Sequence, residues 1–271
     1  MRLFSRFSTA LTLVILGMSL LTLALPAVSS LAQSSLAFQD LNSLVEALQS
    51  QDPVLAMKAA QELKKKGLPI KSVVPALTKA MKNPNEALRL NVIEALSDRG
   101  PEAVPAIPVL GEGLKDMDPL VREAAVLALI GIGKEATATL PDLLVLLGDK
   151  YKPVREVAVL ALVGMDKDAV PGLIKALESK DLMVKSAASE ALGQMGEIAI
   201  PQLIGLISKG SPDIVQHAAM ALINIGPPAV EPLIALLQSP DKKTADLATQ
   251  ILEEMGSPAV PGLVKALRTK P

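Results

Sequence analysis

Apolar residues recur along this chain in two interleaved stripes, both at helical spacing. In "DLMVKSAASEALGQMG", Val184, Ala188, Ala191, Leu192 and Met195 fall at i, i+4, i+7, i+8 and i+11, one face of a 3.6-residue period. Gly196 suits the left-handed backbone that ends such a helix, and Pro201 suits the first turn of the next, where a missing N–H is harmless. Ile200, Leu203, Ile204 and Ile207 then form the buried stripe of a second helix. Asp181 and Ser211 are good N-cap residues, and Asp52–Pro53, Asp118–Pro119 and Ser211–Pro212 add the cap-then-proline signal.

This two-helix pattern repeats. Leu173, Leu203, Leu233 and Leu263 are thirty residues apart, and each is followed four residues later by Leu177, Ile207, Leu237 or Leu267. Earlier in the chain the same slots are Leu77/Met81, Leu110/Leu114 and Leu143/Leu147, now thirty-three apart. A small-residue slot (Ala59, Val92, Ala125, Ala158, Ala188, Ala218, Ala248) carries the register through seven units. The period shortens in a connector: Gly67 to Pro75, Gly100 to Pro108 and Gly133 to Pro141 span eight residues, whereas Asp166 to Pro171, Gly196 to Pro201 and Gly256 to Pro261 span five. "LNSLVEAL" (Leu41–Leu48) repeats only the second-helix pattern and reads as an N-terminal cap.

Helices of about 10–14 residues are marginal alone in water. Each buried Leu or Ile contributes about 1.5–3 kcal/mol, so covering both stripes offsets much of the ordering cost. Stacked hairpins cover them, and the same contact must then recur at every step of a one-dimensional array.

The pattern D-x-x-V-[RK]-x-x-A-A-x-A-L, as "DPLVREAAVLAL" (Asp118–Leu129) and "DLMVKSAASEAL" (Asp181–Leu192), resembles HEAT repeats. The short "G-x-x-A-V-P-x-L" link resembles the subtype named after phycobilisome lyases. The resemblance covers residues 40–271. It implies an all-α fold, a right-handed α-solenoid of about seven HEAT-like helical hairpins plus the cap helix, binding other proteins on its concave face. Tetratricopeptide and ankyrin patterns fit poorly, having here neither the Trp/Tyr signature nor "TPLH".

Composition narrows the chemistry. With half the residues apolar and 1% aromatic, the core must be Leu, Ile, Val, Ala and Met. There is no cysteine, which removes disulfides, thiolate catalysis and cysteine-bound zinc, and one histidine leaves metal and triad chemistry short of ligands. The N-terminus reads as a separate object. Arg2 and Arg6 precede an apolar run from Leu11 to Ala27, with Pro26 near its end and small residues Ser30 and Ala32 before Gln33. That is the layout of a cleaved signal peptide over residues 1–32, followed by a short linker over 33–39. It implies export to a periplasm, lumen or extracellular space. The alternative is membrane anchoring by residues 11–27, the one route by which a membrane would be a partner. Lipid attachment is excluded, since no cysteine follows. Removing Arg2 and Arg6 leaves 25 basic against 28 acidic residues, a net charge of −3 that does not favour nucleic acid.

Arg89, Arg122, Arg155 and Lys185 occupy one slot in four successive units. Stacked, they form either a structural ladder or a binding stripe for acids. In the resembled family this slot pairs with the Asp at the helix start, here Asp118 and Asp181, or with its neighbour in the next unit. The slot becomes Val215 and Ala245 in the last units, ending the ladder. His217 stands in an alanine slot with Asp213 four residues before it, and reads as a packed residue. The methionines read as core filling. Gly111 and Gly113 predict local looseness in one second helix, and Lys64–Lys65–Lys66 reads as a solvated helix end.

The expected function is an exported, monomeric, non-enzymatic scaffold binding a protein or peptide, without cofactor, metal or nucleic acid. The alternative carried by the subtype resemblance is a bilin lyase or lyase-like chaperone for phycobiliproteins, which act in the cytosol and so conflict with export. An envelope-anchored spacer is a third reading. The deoxyhypusine hydroxylases, di-iron HEAT-repeat enzymes, need several His–Glu pairs that one histidine cannot supply.

Overall fold

The structure is a computed structural model that describes residues 41–50, 52–64 and 69–269. The stretches read from sequence as a signal peptide and a linker lie outside them. Among the described residues every regular element is helical. After α1 (Leu41–Leu48) come seven hairpins: α2 (Pro53–Lys64) with α3 (Ile70–Ala80), α4 (Glu86–Ser97) with α5 (Ile107–Gly113), and α6 (Pro119–Ile132) with α7 (Leu140–Leu146). Then follow α8 (Lys152–Gly164) with α9 (Val170–Ala176), α10 (Leu182–Met195) with α11 (Ile200–Lys209), α12 (Pro212–Ile225) with α13 (Val230–Leu236), and α14 (Lys242–Met255) with α15 (Val260–Thr269).

First helices pack on successive first helices, and second on second, so two layers run the length of this unit. The small-residue slot makes this approach possible: Ala125, Ala158, Ala188, Ala218 and Ala248 are all fully buried between neighbouring turns. First helices run to 12–14 residues against 7–11 for second helices, so neighbouring hairpins touch mainly through their first helices. α1 packs on α2 and α3, the place a second helix would take in a preceding hairpin. The result is an α-solenoid.

The connectors follow the glycine-to-proline spacing. Long ones are 3₁₀ turns over Gly100–Ala106 and Gly133–Thr139; short ones cover Asp166–Asp168, Gly196–Ala199, Pro227–Ala229 and Ser257–Ala259. Most first helices stop at a glycine with φ between 66° and 83° and ψ near −135°, a backbone closed to side chains with a Cβ. In α8's connector Asp166 takes that place at φ 58°, in the left-handed region that Asp tolerates.

The sequence expectation for Gly113 is corrected here. It is buried, and a Cβ on it would lie 2.9 Å from both the Ala125 Cβ and the Ile93 Cδ1. Close helix packing, rather than looseness, explains it.

Candidate functional site

The first-helix side carries the charged slot. Most first helices begin with a side-chain cap: Asp118 accepts from the Leu120 N–H at 2.8 Å, Asp181 from Met183 at 2.8 Å, and Asn85 from Ala87 at 3.0 Å. Ser211 makes no side-chain cap bond, contrary to its sequence reading. Two residues before the cap stands a second acceptor, which holds the cap residue's own N–H. It is Asn83, Asp116, Asp149 and Ser179 in four successive units, at 2.9, 2.9, 2.9 and 3.1 Å, and Ser239 before the last hairpin, at 3.2 Å.

The arginines reach this second acceptor in the next unit. Arg89 donates through Nε and Nη2 to both oxygens of Asp116, at 2.7 and 2.8 Å. Arg122 does the same to Asp149, at 2.7 and 2.9 Å, while its guanidinium lies 5.9 Å from the Tyr151 ring centre. Each Nη1 donates backwards to two carbonyls of the preceding loop, Asn83 and Pro84 for Arg89, Asp116 and Met117 for Arg122. Lys185 pairs with Asp213 on α12. Of the two pairings expected for this slot, the intrahelical one with Asp118 and Asp181 is not made, since those carboxylates point at helix N–H groups; Arg89, Arg122 and Lys185 pair into the next unit. Sequence reasoning misses Asp116 and Asp149 and meets Asp213 only as a neighbour of His217, although Asn83, Asp116 and Asp149 form a column thirty-three residues apart.

Arg155 breaks the series. Its Nη1 still donates to the Asp149 and Lys150 carbonyls, at 2.6 and 3.2 Å. In the next unit the acceptor column holds Ser179, neutral and too short for a bidentate pair. Among the described residues its Nε and Nη2 make no hydrogen bond.

Electrostatics match this geometry. Burial pushes the Asp116 carboxyl up, but the Arg89 hydrogen bond, the Asp118 N–H and the charges of Arg89 and Arg122 outweigh it and hold it below the usual carboxylate value. Asp149 is lowered likewise, against burial, by Arg122, the Tyr151 N–H and the charge of Arg155. The hydrogen bond to Asp116 raises Arg89. Glu123, beside the ladder on α6, is raised by burial and then by the charge of Glu156 on α8.

Around the ladder the first-helix side exposes apolar side chains: Leu120, Leu127 and Ile130 on α6, Leu182 and Met183 on α10. His217 is buried, its Nδ1 2.9 Å from the Asp213 carbonyl, and the Ser189 hydroxyl donates to the His217 carbonyl. Lys64 pairs with Glu94 at 3.1 Å, so this end of the lysine run is not simply solvated. Among the described residues no three His, Asp or Glu converge to hold a metal.

A family model for HEAT repeats matches residues 41–130, 104–163, 140–223 and 200–271. The chain belongs to the HEAT-repeat family. The forward arginine–aspartate pairs are thus contacts between successive HEAT units. Among solved structures, the chain is similar to the phycocyanin lyase CpcE–CpcF complex of Nostoc sp. PCC7120, at 23% identity over 85% of this chain and 100% of that one, with a TM-score of 0.43. A designed armadillo repeat protein matches at 20% identity over 80% and 100%, TM-score 0.40. Human deoxyhypusine hydroxylase matches at 19% over 79% and 95%, TM-score 0.29. These likenesses assign no activity. No curated protein matches the sequence.

Proposed function

We propose that this HEAT-repeat chain is an exported, monomeric, non-enzymatic scaffold that holds a protein or peptide segment along its first-helix face. The observation that carries the proposal is the set of exposed apolar side chains on that face, Leu120, Leu127 and Ile130 on α6 and Leu182 and Met183 on α10, of which Leu182 is 66% exposed. Exposed apolar groups gathered on one side of a fold mark an interaction surface. An extended segment lying along this face would meet several units at once. Export rests on the layout of residues 1–32.

The test is site-specific photo-crosslinking in the native organism, with the photoreactive residue placed at Leu127 or, as control, at Val145 on the second-helix side. Adducts with one or a few proteins from Leu127 alone, on a chain whose mass lacks residues 1–32, support the reading. No adduct from Leu127 sinks the scaffold. A chain that retains residues 1–32 and crosslinks to cytoplasmic antenna proteins favours the lyase-like chaperone.

A further inference from the structure

The missing rung leaves a site. Arg89 and Arg122 use the Nε/Nη2 edge of their guanidinium groups on Asp116 and Asp149. Arg155 stands in the same slot with its Nη1 anchored on two loop carbonyls, so its plane is fixed in the same way. Arg155 lines a groove of about 300 Å³ between α8 and α10, and in the next unit Ser179 holds the position that is Asp in the acceptor column of the earlier units. Leu182 and Met183 form an apolar wall of that groove, and both are exposed. The other charges there are engaged: Lys152 pairs with Glu156 at 3.1 Å, and Glu190 accepts from Gln194 at 3.1 Å.

We propose that this groove is a carboxylate-recognition subsite, which accepts one Asp or Glu side chain of an extended peptide segment with an adjacent apolar residue against Leu182 and Met183. The inference rests on the first-helix face being the binding face. A fixed guanidinium edge is preorganised for a bidentate pair, and the partner's carboxylate completes the rung that the chain itself completes elsewhere. Glu156 and Glu190 line the same groove and repel a run of acids, so the segment carries a single acid rather than an acidic tract.

The test is selection of random twelve-residue displayed peptides on residues 33–271, followed by titration of the selected sequences as acetylated, amidated synthetic peptides. Selected peptides are expected to carry Asp or Glu next to Leu, Ile, Met or Phe. Ser179→Asp, which supplies the missing acid from within, is expected to weaken them ~10-fold or more without lowering the melting temperature. Changing the peptide's acid to its amide should cause the same loss, with no further loss in Ser179→Asp; Arg155→Gln should reproduce it. Peptides selected without an acid, or bound equally by wild type, Ser179→Asp and Arg155→Gln, overturn the subsite and leave the binding face standing. Failure to select any peptide overturns both.

Discussion

Arg122 of one repeat holds Asp149 of the next with two hydrogen bonds, at 2.7 and 2.9 Å, while its third nitrogen donates to the carbonyls of Asp116 and Met117. One side chain therefore joins its own entry loop to the entry loop of the following unit. Both partners are largely withdrawn from solvent, at 13% and 7% side-chain exposure. Removing either leaves the other buried and unpaired, a change that typically costs about 3–5 kcal/mol.

Arg122→Ala is accordingly expected to lower stability by about that amount, measured by urea unfolding. Arg122→Lys is expected to recover little, because an ammonium cannot reproduce the planar fork. In a double-mutant cycle with Asp149→Ala, the two losses should be strongly non-additive; additive losses would show that the pair is not a unit.

Acid sensitivity follows from the same pairs. Asp116 and Asp149 are held below their ordinary values in the folded state. A carboxyl lowered on folding contributes stability that is fully present above its unfolded pKa, about 3.9, and lost as pH falls through the folded value. Stability should thus be level from neutral pH to about 4.5 and then decline. Asp116→Asn and Asp149→Asn should be less stable than wild type at neutral pH, with a shallower decline in acid. Urea titrations between pH 7 and 2.5 read this directly, and an unchanged acid slope in both variants would refute it.

The stack was legible in the sequence because it is periodic. Leu173, Leu203, Leu233 and Leu263 face equivalent neighbours, so each repeats the constraint on the others. The charged slot was legible for the same reason. Its partner was less so: the pair crosses a whole unit, and local spacing favours the nearer Asp118, whose carboxylate is taken by the Leu120 N–H. Periodicity also hides exceptions. Ser179 matters only because its column holds Asp in two earlier units, and Gly113 only because Ile93 and Ala125 meet there.

Glu123 is a charge held where it is disfavoured, by burial and by Glu156. A carboxyl raised on folding is ionised in both states at neutral pH and opposes folding there; below its unfolded pKa it is protonated in both, and the penalty disappears. Glu123→Gln is expected to raise the melting temperature at pH 7, by an increment that shrinks towards zero near pH 4. A stabilisation that did not depend on pH would assign the effect to packing.

Two neighbouring glycines in α5 separate crowding from helix propensity. A methyl at Gly113 would sit 2.9 Å from both the Ala125 Cβ and the Ile93 Cδ1, atoms of a fully buried layer, so either α6 or the Ile93 rotamer must yield. Overpacking of that kind costs about 1–3 kcal/mol, more than the gain of up to about 1 kcal/mol from replacing a helical glycine by alanine. At Gly111 the same methyl meets nothing within 4 Å, and only the propensity gain remains. Gly113→Ala is therefore expected to lower the melting temperature and Gly111→Ala to raise it, both read by thermal unfolding of the same chain. If both raised it, the α4–α6 contact would be looser than these distances, and the approach of successive first helices would not be limited at this point.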